Sequence, residues 1–405
     1  MKSKTLIWFR QDLRIKDNPA LSYASEQGAI FPVYIVDNIH SDKPLGGASK
    51  WWLHHALTAL NASLDDQLHV FEGDPLRIIP QLMASYDIDQ VVWNRCYQPW
   101  QITRDKKLKK QLADSGAAVK SFNGSLLWEP WDVLKKDGTP YKVYTPYYRR
   151  GCLSKTSPRY PIGEPENIEY IKSNEPDASD IDELALLPKI PWDSGIADQW
   201  QPGEQGAADN LQQFLSAPVD DYKEQRNIPD KRGTSRLSPY LRFGEISPNQ
   251  IWYAAQDAAN NQVNDDLDCY LSELGWREFS YYLLYHFPTL PNENFNNKFD
   301  HFEWNSNASH LKAWQQGKTG YPIVDAGLRE LWQTGYMHNR VRMIVGSFLV
   351  KNLRLHWSDG EAWFWDCLLD ADLASNSASW QWVAGTGADA APYFRIFNPV
   401  TQGQK

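Results

Sequence analysis

Acid, amide and indole side chains crowd together near the end of the sequence, in the stretch DADLASNSASWQW. Its composition predicts a helix, on which Asp372, Asn376 and Trp380 fall at i, i+4 and i+8 and share one face. A face with only a structural role would more simply be all apolar or all charged. The mixture therefore indicates a surface for a ligand that has polar edges and a flat aromatic body.

A second candidate face lies on the helix predicted for YLSELGWREFSYYLLYHFP, which ends near Pro288. Glu273, Trp276, Arg277 and Ser280 are spaced at i, i+3, i+4 and i+7, so they share a face. Two interpretations fit this face. It is either a pocket wall with a carboxyl group beside a stacking ring, or a solvated Glu273–Arg277 ion pair beside a half-buried indole.

A third group lies in YMHNRVRMIVGSFLV, where Asn339 and Met343 share a helical face. Arg342 stands beside them, in the first turns of a helix that soon becomes wholly apolar. An arginine in such a place needs a carboxylate partner. We predict that Asp370 or Asp372 supplies it.

The stretch GTSRLSPYLRFGEISP carries a helix start, because Ser238 followed by Pro239 predicts a capping hydroxyl and a proline at the first helical position. Just upstream, Thr234, Ser235 and Arg236 offer hydroxyls, backbone N–H groups and one cation, which suit an anion. An ordinary capped turn fits the same residues. The sequence has no G-x-G-x-x-G and no P-loop lysine motif, so a Rossmann or Walker nucleotide site is unsupported.

The overall composition narrows the class of protein. With 405 residues, 42% of them hydrophobic, the chain can bury a large core in two or three domains. The net charge of −9 gives no global signal for nucleic acid, so any contact with DNA depends on a local basic patch. The four cysteines form no C-x-x-C pair, which argues against a metal knuckle or a disulfide framework. Because neither a signal peptide nor a membrane-spanning apolar stretch is evident, we expect a cytoplasmic protein that binds no metal and no membrane.

The first part of the chain alternates apolar runs with helical patterns. TLIWF, IFPVYIVD, LHVFEGD and QVVWNRCY predict buried strands, and Lys50–Leu64, PLRIIPQLMASY and RDKKLKKQLADSG predict helices between or after them. This order predicts a parallel sheet with helices on both faces, in an α/β domain over residues 1–130. A proline-rich connector on the surface is predicted for 131–203, and a nearly all-α domain for 204–405.

Taken together, these stretches resemble the photolyase/cryptochrome family. WFRQDLRIKDNPAL is similar to the family's first strand and loop, and TSRLSPYLRFGEISP, GWREF, TGYPIVDAGLRELWQTGYMHNRVRM and DAAPYFRIFNPVTQG are similar to its flavin-domain signatures. The runs GASKWWLHHAL, SFNGSLLWEPW and WFWDCLLDADLASNSASWQWVAG resemble the class III photolyases, near relatives of class I, which act on cyclobutane pyrimidine dimers. The resemblance implies an antenna-type α/β domain followed by an all-α FAD-binding domain. It also implies blue-light repair of UV-damaged DNA, in which reduced FAD donates an electron to a dimer flipped out of the helix.

What the resemblance implies for the cofactor can be placed on single residues. Asn376 would face flavin N5, where a neutral amide disfavours proton delivery. Arg342 and Asp370 would pair beside the flavin, with Asp372 near the adenosine or the ring edge. The residues expected to hold FAD are Tyr222, Thr234, Ser235, Arg236, Leu237, Ser238, Asn339, Arg342, Asp370, Asp372 and Asn376.

On the substrate side, the resemblance implies that Trp276 and Trp382 stack against the flipped dimer and that Glu273 hydrogen-bonds its thymine carbonyl edge. Arginines would contact phosphates, which predicts strong salt dependence. The expected substrate and DNA residues are Arg226, Glu273, Trp276, Arg277, Asn339, Arg340, Met343, Trp382 and Arg395. Trp380, Trp357 and Trp304 match the family's chain of tryptophans that reduces the flavin in light. These three complete the expected catalytic set with Glu273 and Asn376.

The sequence departs from the family pattern in two places. Folate-binding microbial photolyases carry an Asn-Glu pair ahead of an Arg-x-Arg-Asp stretch, where this chain reads Trp100-Gln101 and then Ile-Thr-Arg104-Asp105. A methenyltetrahydrofolate held differently, a deazaflavin and no antenna at all remain alternatives, so no antenna residues are assigned. The chain ends at TQGQK where family members continue, and we therefore expect a truncated end and, from the resemblance, a monomer.

Other members of the family fit less well. A (6-4) photolyase would carry a histidine pair where Asn339 and Met343 stand, and a plant-type signalling cryptochrome would carry Asp at position 376. A cryptochrome-type blue-light photoreceptor, including a DASH-type protein that binds single-stranded DNA, remains the alternative to repair. An unrelated flavin oxidoreductase would need a nicotinamide site, and the sequence shows none.

Overall fold

The computed structural model describes residues 3–41, 43–173, 175, 177–216, 218–260, 262, 264–392 and 394–404. Its first part is a sheet of five parallel strands in the order β3-β2-β1-β4-β5. The strands are β1 (Ser3–Phe9), β2 (Gly28–Val36), β3 (His69–Glu72), β4 (Gln90–Asn94) and β5 (Ala118–Phe122). The predicted parallel sheet is confirmed. Strand β5 was not predicted, because this edge strand, AVKSF, is half exposed and lacks an apolar run.

Four helices cover the sheet: α1 (Pro19–Gln27), α2 (Gly47–Ser63), α3 (Pro75–Tyr86) and α4 (Pro99–Asp114). Three of them overlap the predicted windows, and α1 was not predicted. It begins at a strong local signal, since the Asn18 side chain accepts from the Leu21 N–H and a proline occupies the first position. The loop that joins β2 to α2 leads from the carboxyl edge of the sheet toward the helical part of the molecule.

The region predicted as a surface connector is partly buried, which corrects that prediction. It contains a π-helix at Pro146–Cys152, a 3-10 helix at Ile181–Leu184 and a short helix, α5 (Ser194–Ala197). Tyr147 and Tyr148 are both only 1% exposed. Aromatic side chains in this stretch pack against helices, and the large apolar area of their rings favours burial although the stretch is rich in proline.

The second half of the described chain is helical, as predicted. Its α-helices are α6 (Glu204–Leu215), α7 (Tyr222–Gln225), α8 (Ser238–Phe243), α9 (Pro248–Ala258), α10 (Asp265–His286), α11 (Ala308–Gln315), α12 (Pro322–Thr334), α13 (Asn339–Ser347), α14 (Trp357–Cys367), α15 (Leu373–Ala384) and α16 (Pro399–Gly403). Shorter turns are 3-10 helices at Pro218–Asp221 and Asn297–Phe299 and a π-helix at Phe348–Asn352. Within the described ranges, no helix combines the length and the apolar character needed to cross a membrane.

The strands bury both faces. Leu6 and Trp8 point into a core that α3 and α4 cover, and Ile7 and Phe9 point into the opposite core. This second core is continuous with the interior of the helical region. At the junction, the Trp52 Nε1 of α2 donates to Glu245 at 2.9 Å. The sheet therefore positions loops directly against the helices that carry the candidate site.

Candidate active site

Helix α10 presents a carboxylate and an indole on one face. Glu273 Oε1 lies 2.5 Å from Arg226 Nη1, at the end of α7, and the glutamate side chain keeps 30% exposure. Partial burial raises the pKa of Glu273, although Arg226 opposes that rise. One turn on, the Trp276 ring stacks on Tyr144 with centroids 3.7 Å apart and planes inclined by 13°. This face can hold a hydrogen-bonding group beside a flat ring.

Arg277 turns away from this face, so the alternative Glu273–Arg277 ion pair is wrong. Its Nη1 donates to the Ser125 carbonyl at 2.8 Å and contacts Glu278 at 3.3 Å. Arg226 is a better partner for the glutamate because it approaches from another helix, whereas Arg277 satisfies a backbone carbonyl between the two halves of the molecule. The proposal that Arg277 contacts DNA has no support from this geometry.

Arg342 is paired with a carboxylate, as the sequence predicts. Its guanidinium makes two hydrogen bonds to Asp370, of 3.0 Å to Oδ1 and 2.8 Å to Oδ2. Such fork-to-fork pairs fix orientation as well as charge. The Ser238 hydroxyl donates to the same carboxylate at 2.6 Å. The predicted carboxylate partner is therefore confirmed, and it is Asp370.

The predicted cap at Ser238 is wrong. Helix α8 takes Leu237 as its N-cap residue, with no side-chain cap, and Ser238 is its first residue. The Ser238 hydroxyl donates to the ionised carboxylate of Asp370 instead of accepting from the helix N–H groups. A hydrogen bond to a charged acceptor is stronger than one between neutral groups. The cap signature works nine residues later, where Ser247 and Gln250 form a capping box at the start of α9.

The loop before α8 has the properties of a site for a polar ligand. Arg236 adopts a left-handed backbone conformation with φ of 53°, and its guanidinium lies 4.3 Å from the Trp200 ring centroid. The hydroxyls of Thr234 and Ser235 interact with Tyr336 and Tyr270. Tyr222 is buried beside Tyr270 at 5.2 Å between rings. The loop is thus fixed from several sides.

Two buried nitrogens near this loop and α13 lack a hydrogen-bond partner within the described ranges: Arg236 Nε and His338 Nε2. His338 caps α13 by accepting from the Arg340 N–H through Nδ1, so Nε2 carries the proton of the neutral ring. Burial, helped by three neighbouring arginines, lowers its pKa to about 4. Unpartnered buried donors are rare in native proteins. These donors and the Arg342–Asp370 pair fit an anionic, ribose-bearing cofactor such as FAD.

Helix α15 and its N-cap carry the acid, amide and indole side chains of the stretch DADLASNSASWQW. Asp372 is its N-cap and accepts from the Ser375 N–H at 2.8 Å and from the Tyr281 hydroxyl at 2.7 Å. Asn376 is buried, and its Nδ2 donates to Glu361 at 2.8 Å to Oε1 and 3.1 Å to the backbone oxygen. The amide orientation follows from this contact, since a carboxylate only accepts. The other end of the Asn376 amide is therefore its carbonyl oxygen, which can only accept a hydrogen bond.

Two of the three expected tryptophans are buried and the third is partly exposed. Trp380 is buried against Phe364, with ring centroids 4.9 Å apart. Trp357 is buried on α14, and the His356 ring lies between it and the partly exposed Trp304, at 5.3 Å and 5.2 Å. The role of these three tryptophans as a path for electrons stays a prediction.

The remaining expected residues are spread over this surface. Asn339 is exposed at the start of α13, and Met343 is half-buried one turn later. Arg340 contacts Met343 Sδ at 4.0 Å and hydrogen-bonds Asn227. Trp382 is half-buried on α15, whereas Arg395 is exposed before α16. The structure thus places Asn339, Arg340 and Met343 on one helix, and Arg395 on a separate segment.

Sequence reasoning missed three contributors. Tyr144 stacks on Trp276 from the region taken for a plain connector, and the aromatic-rich run VYTPYYRR was the available signal. Glu361 orients Asn376, and Lys43 contacts both Glu361 oxygens at 2.5 Å from the loop between β2 and α2. No local pattern marks either of the last two, because their partners lie far away in the sequence.

The parallel sheet, the helical layer packed on it and the site together define a class of flavoproteins. The chain belongs to this class, the photolyase/cryptochrome family. A family model described as DNA photolyase matches residues 5–166. A second, described as the FAD binding domain of DNA photolyase, matches residues 270–405. The prediction of FAD as the cofactor is confirmed.

Among curated relatives, the chain is 48% identical to the deoxyribodipyrimidine photo-lyase of Agrobacterium fabrum, over 99% of this chain and 84% of the relative. It is 36% identical to Cryptochrome-2 of Arabidopsis thaliana, over 100% of this chain and 69% of the relative. Among solved structures, a bacterial class III photolyase from Agrobacterium tumefaciens has a TM-score of 0.95 at 47% identity, covering 100% of this chain and 84% of that one. A Synechocystis cryptochrome has a TM-score of 0.89 at 30% identity, with 100% and 86% covered.

Proposed function

We propose that this chain is a light-dependent DNA repair enzyme, a deoxyribodipyrimidine photo-lyase that splits cyclobutane pyrimidine dimers in UV-damaged DNA. The observation that carries the proposal is the face of α10 on which the Arg226–Glu273 pair lies one turn from the Trp276 ring. A flipped pyrimidine dimer has a matching combination of polar carbonyl edges and flat faces. The similarity to named photo-lyases supports repair over a purely sensory role.

Bound FAD, in its reduced form, supplies the electron that blue light makes available for splitting the dimer. The chain's own part begins with holding that cofactor. Arg342 is fixed by Asp370, which also accepts from the Ser238 hydroxyl, and supplies a cation of fixed orientation. Asn376 presents a carbonyl oxygen rather than an ionisable group, so it delivers no proton to the flavin N5 that it would face. The loop 234–238 would bind the ribityl and pyrophosphate groups.

The substrate face would then receive the dimer. A dimer inside a duplex is out of reach and must be flipped out, which costs least at a damaged, poorly stacked site. Trp276 and Trp382 would stack on it, and Asn339 and Met343 would complete the wall. Burial raises the pKa of Glu273 although Arg226 opposes that rise, and a dimer that covered the side chain would exclude more water and shift this pKa further toward protonation. Its hydroxyl would then donate to a thymine carbonyl oxygen, where negative charge develops.

Affinity for DNA would come from local cations on an acidic chain. Arg340 contacts the neutral Asn227 and Met343 and makes no ion pair within the described residues, so its charge could bind a phosphate. Arg226 and Arg395 extend this set. We also propose the organisation predicted from the sequence, with domains at 1–130 and 204–405 and a connector at 131–203, and a cytoplasmic monomer.

The test is repair itself. Reduced holoprotein is mixed with UV-irradiated oligothymidine, and recovery of thymine absorbance is followed under blue light and in the dark. Recovery only in the light supports the proposal. If FAD is bound and reducible but no thymine returns, the proposal fails and the photoreceptor alternative, favoured by the 36% identity to Cryptochrome-2, takes its place. Repair of single-stranded but not duplex substrate would indicate a DASH-type protein.

A further inference from the structure

The loop between β2 and α2 reaches from the α/β sheet into the helical site. Lys43 Nζ lies 2.5 Å from both carboxylate oxygens of Glu361, on α14. The glutamate side chain is only 6% exposed, and the lysine side chain 33%. Glu361 in turn accepts from the Asn376 amide at 2.8 Å. Three residues from three elements thus form one line that ends at the proposed N5 neighbour.

The residues that follow Lys43 are held by contacts with α14 that fix the position of the lysine. The Pro44 carbonyl accepts from Trp365 Nε1 at 2.8 Å, and the Gly47 N–H donates to Asp366 at 2.9 Å. A Cβ on Gly46 would lie 2.2 Å from the Trp365 backbone oxygen, so only glycine allows this approach. The Lys43 ammonium also lies 4.7 Å from the Trp365 ring centroid.

We propose that Lys43 is a positioning residue through which the α/β domain sets the reduction potential of the FAD bound in the helical region. A buried carboxylate is stable when it is paired, and Lys43 balances the charge of Glu361. The ionised glutamate then compels Asn376 to donate its NH₂ and to turn its carbonyl oxygen to the site. Without the lysine, an uncompensated negative charge would lie next to Asn376 and would oppose reduction of the flavin.

This inference rests on the proposed place of Asn376 beside the flavin, but its test does not use repair. The reduction potential of bound FAD is measured by anaerobic titration against a reference dye. In Lys43→Met, we expect the ratio of reduced to oxidised FAD at a fixed potential to fall about tenfold, which is roughly 30 mV for a two-electron couple. Lys43→Arg, which keeps the charge, is expected to return the wild-type value.

Two further variants separate charge from packing. Lys50→Met removes one positive charge from the exposed side of α2 and is expected to leave the potential unchanged, because solvent screens that site. Lys43→Met combined with Glu361→Gln removes both charges and is expected to restore the potential. An unchanged potential in Lys43→Met overturns the proposal, and so does a double variant as low as the single one. Failure of the repair function would appear separately, as absent thymine recovery in the wild-type protein.

Discussion

The carboxylate of Glu273 and the guanidinium of Arg226 meet at 2.5 Å across the gap between α10 and the end of α7. The arginine also lies 3.2 Å from the Cys269 sulfur and 5.6 Å from the Tyr222 ring centroid. The pair therefore joins the expected substrate face to the residues expected around FAD. A substitution of Glu273 tests the first without removing the second.

In Glu273→Ala, we expect the repair rate per bound FAD to fall between about 10-fold and 100-fold. The lost interaction is a hydrogen bond to a group that becomes charged, worth about 1.5–3 kcal/mol. Light-driven thymine recovery at a fixed FAD content measures it. Glu224→Gln is the matched control, because this exposed acid of α7 lies two residues before Arg226, which caps that helix. Equal rates in both variants would remove Glu273 from the proposed mechanism.

Trp380 packs closely against α14 because residue 360 is a glycine. A Cβ on Gly360 would lie 2.1 Å from the Trp380 ring. An alanine inside a helix normally stabilises it by about 1 kcal/mol relative to glycine, but overpacking costs more. We expect Gly360→Ala to lower the free energy of unfolding by about 2 kcal/mol, measured by urea denaturation. Gly346→Ala, whose Cβ would lie 3.2 Å from Val383, should differ little from wild type.

Local sequence patterns predicted most of the secondary-structure elements and showed that Arg342 needs a carboxylate partner. They did not identify every pair of residues that meet in the folded protein. A buried arginine demands a carboxylate, so the Arg342–Asp370 pair was within reach of sequence reasoning. Four strands were predictable because their apolar runs are long, whereas β5 lies at an exposed edge. Ser238 shows where local patterns fail. Its residue type favours a helix cap, but in the folded protein its hydroxyl donates to Asp370, which is distant in the sequence.

The rest of the site depends on contacts between distant segments. Tyr144 covers one face of Trp276 from the connector region, and Lys43 reaches Glu361 from the α/β sheet. Arg277 shows the same effect in reverse. Its helical spacing from Glu273 favours an ion pair, but in the folded protein its guanidinium donates to the Ser125 carbonyl at 2.8 Å. Helical periodicity predicts which side chains share a face, but it does not predict which residues pack against that face.

Glu278 makes stability depend on pH. It is buried, accepts from the Leu127 and Trp128 N–H groups at 2.9 Å and 3.2 Å, and burial raises its pKa from 4.5 to about 7. Because the folded state holds this proton more tightly, the unfolded state loses it first as the pH rises. The free energy of unfolding therefore falls between pH 4.5 and pH 7, by about 3 kcal/mol from this group.

Glu278→Gln is expected to remove that fall. Urea unfolding of wild type and variant at several pH values gives the difference curve. His338 contributes the opposite slope, because its pKa of about 4 in the folded state lies below the usual 6.5. It is present in both proteins, so it cancels from the difference. A difference curve that stays flat from pH 4.5 to pH 7 would contradict the raised pKa of Glu278.

Trp357 is expected to carry electrons toward the flavin and to play no part in repair. In Trp357→Phe, photoreduction of oxidised FAD should slow by at least tenfold, because phenylalanine is harder to oxidise than tryptophan. Repair by chemically reduced protein should be unchanged. Trp131→Phe is the control, since that tryptophan is 40% exposed and lies beside Tyr97 and Tyr285, away from the path. Equal photoreduction in the two variants would exclude Trp357 from the path.

The Arg342–Asp370 pair should decide whether FAD stays bound. Asp370→Asn leaves a largely buried guanidinium without its anion, and loss of one partner of such a pair costs about 3 kcal/mol. We expect lower FAD content and a lower free energy of unfolding. Arg342→Lys keeps the charge but loses the two-pronged contact, and its FAD content should be intermediate.

A double-mutant cycle separates the pair from its surroundings. Arg342→Gln and Asp370→Asn are measured singly and together, by urea unfolding without FAD and by FAD titration. Because each single variant leaves one buried charge uncompensated, the double variant should be more stable than the sum of the two single losses predicts. Affinity for FAD should stay low in all three, since the cation of fixed orientation is absent or released. Wild-type affinity in the double variant would show that the pair supports the fold and does not hold the cofactor.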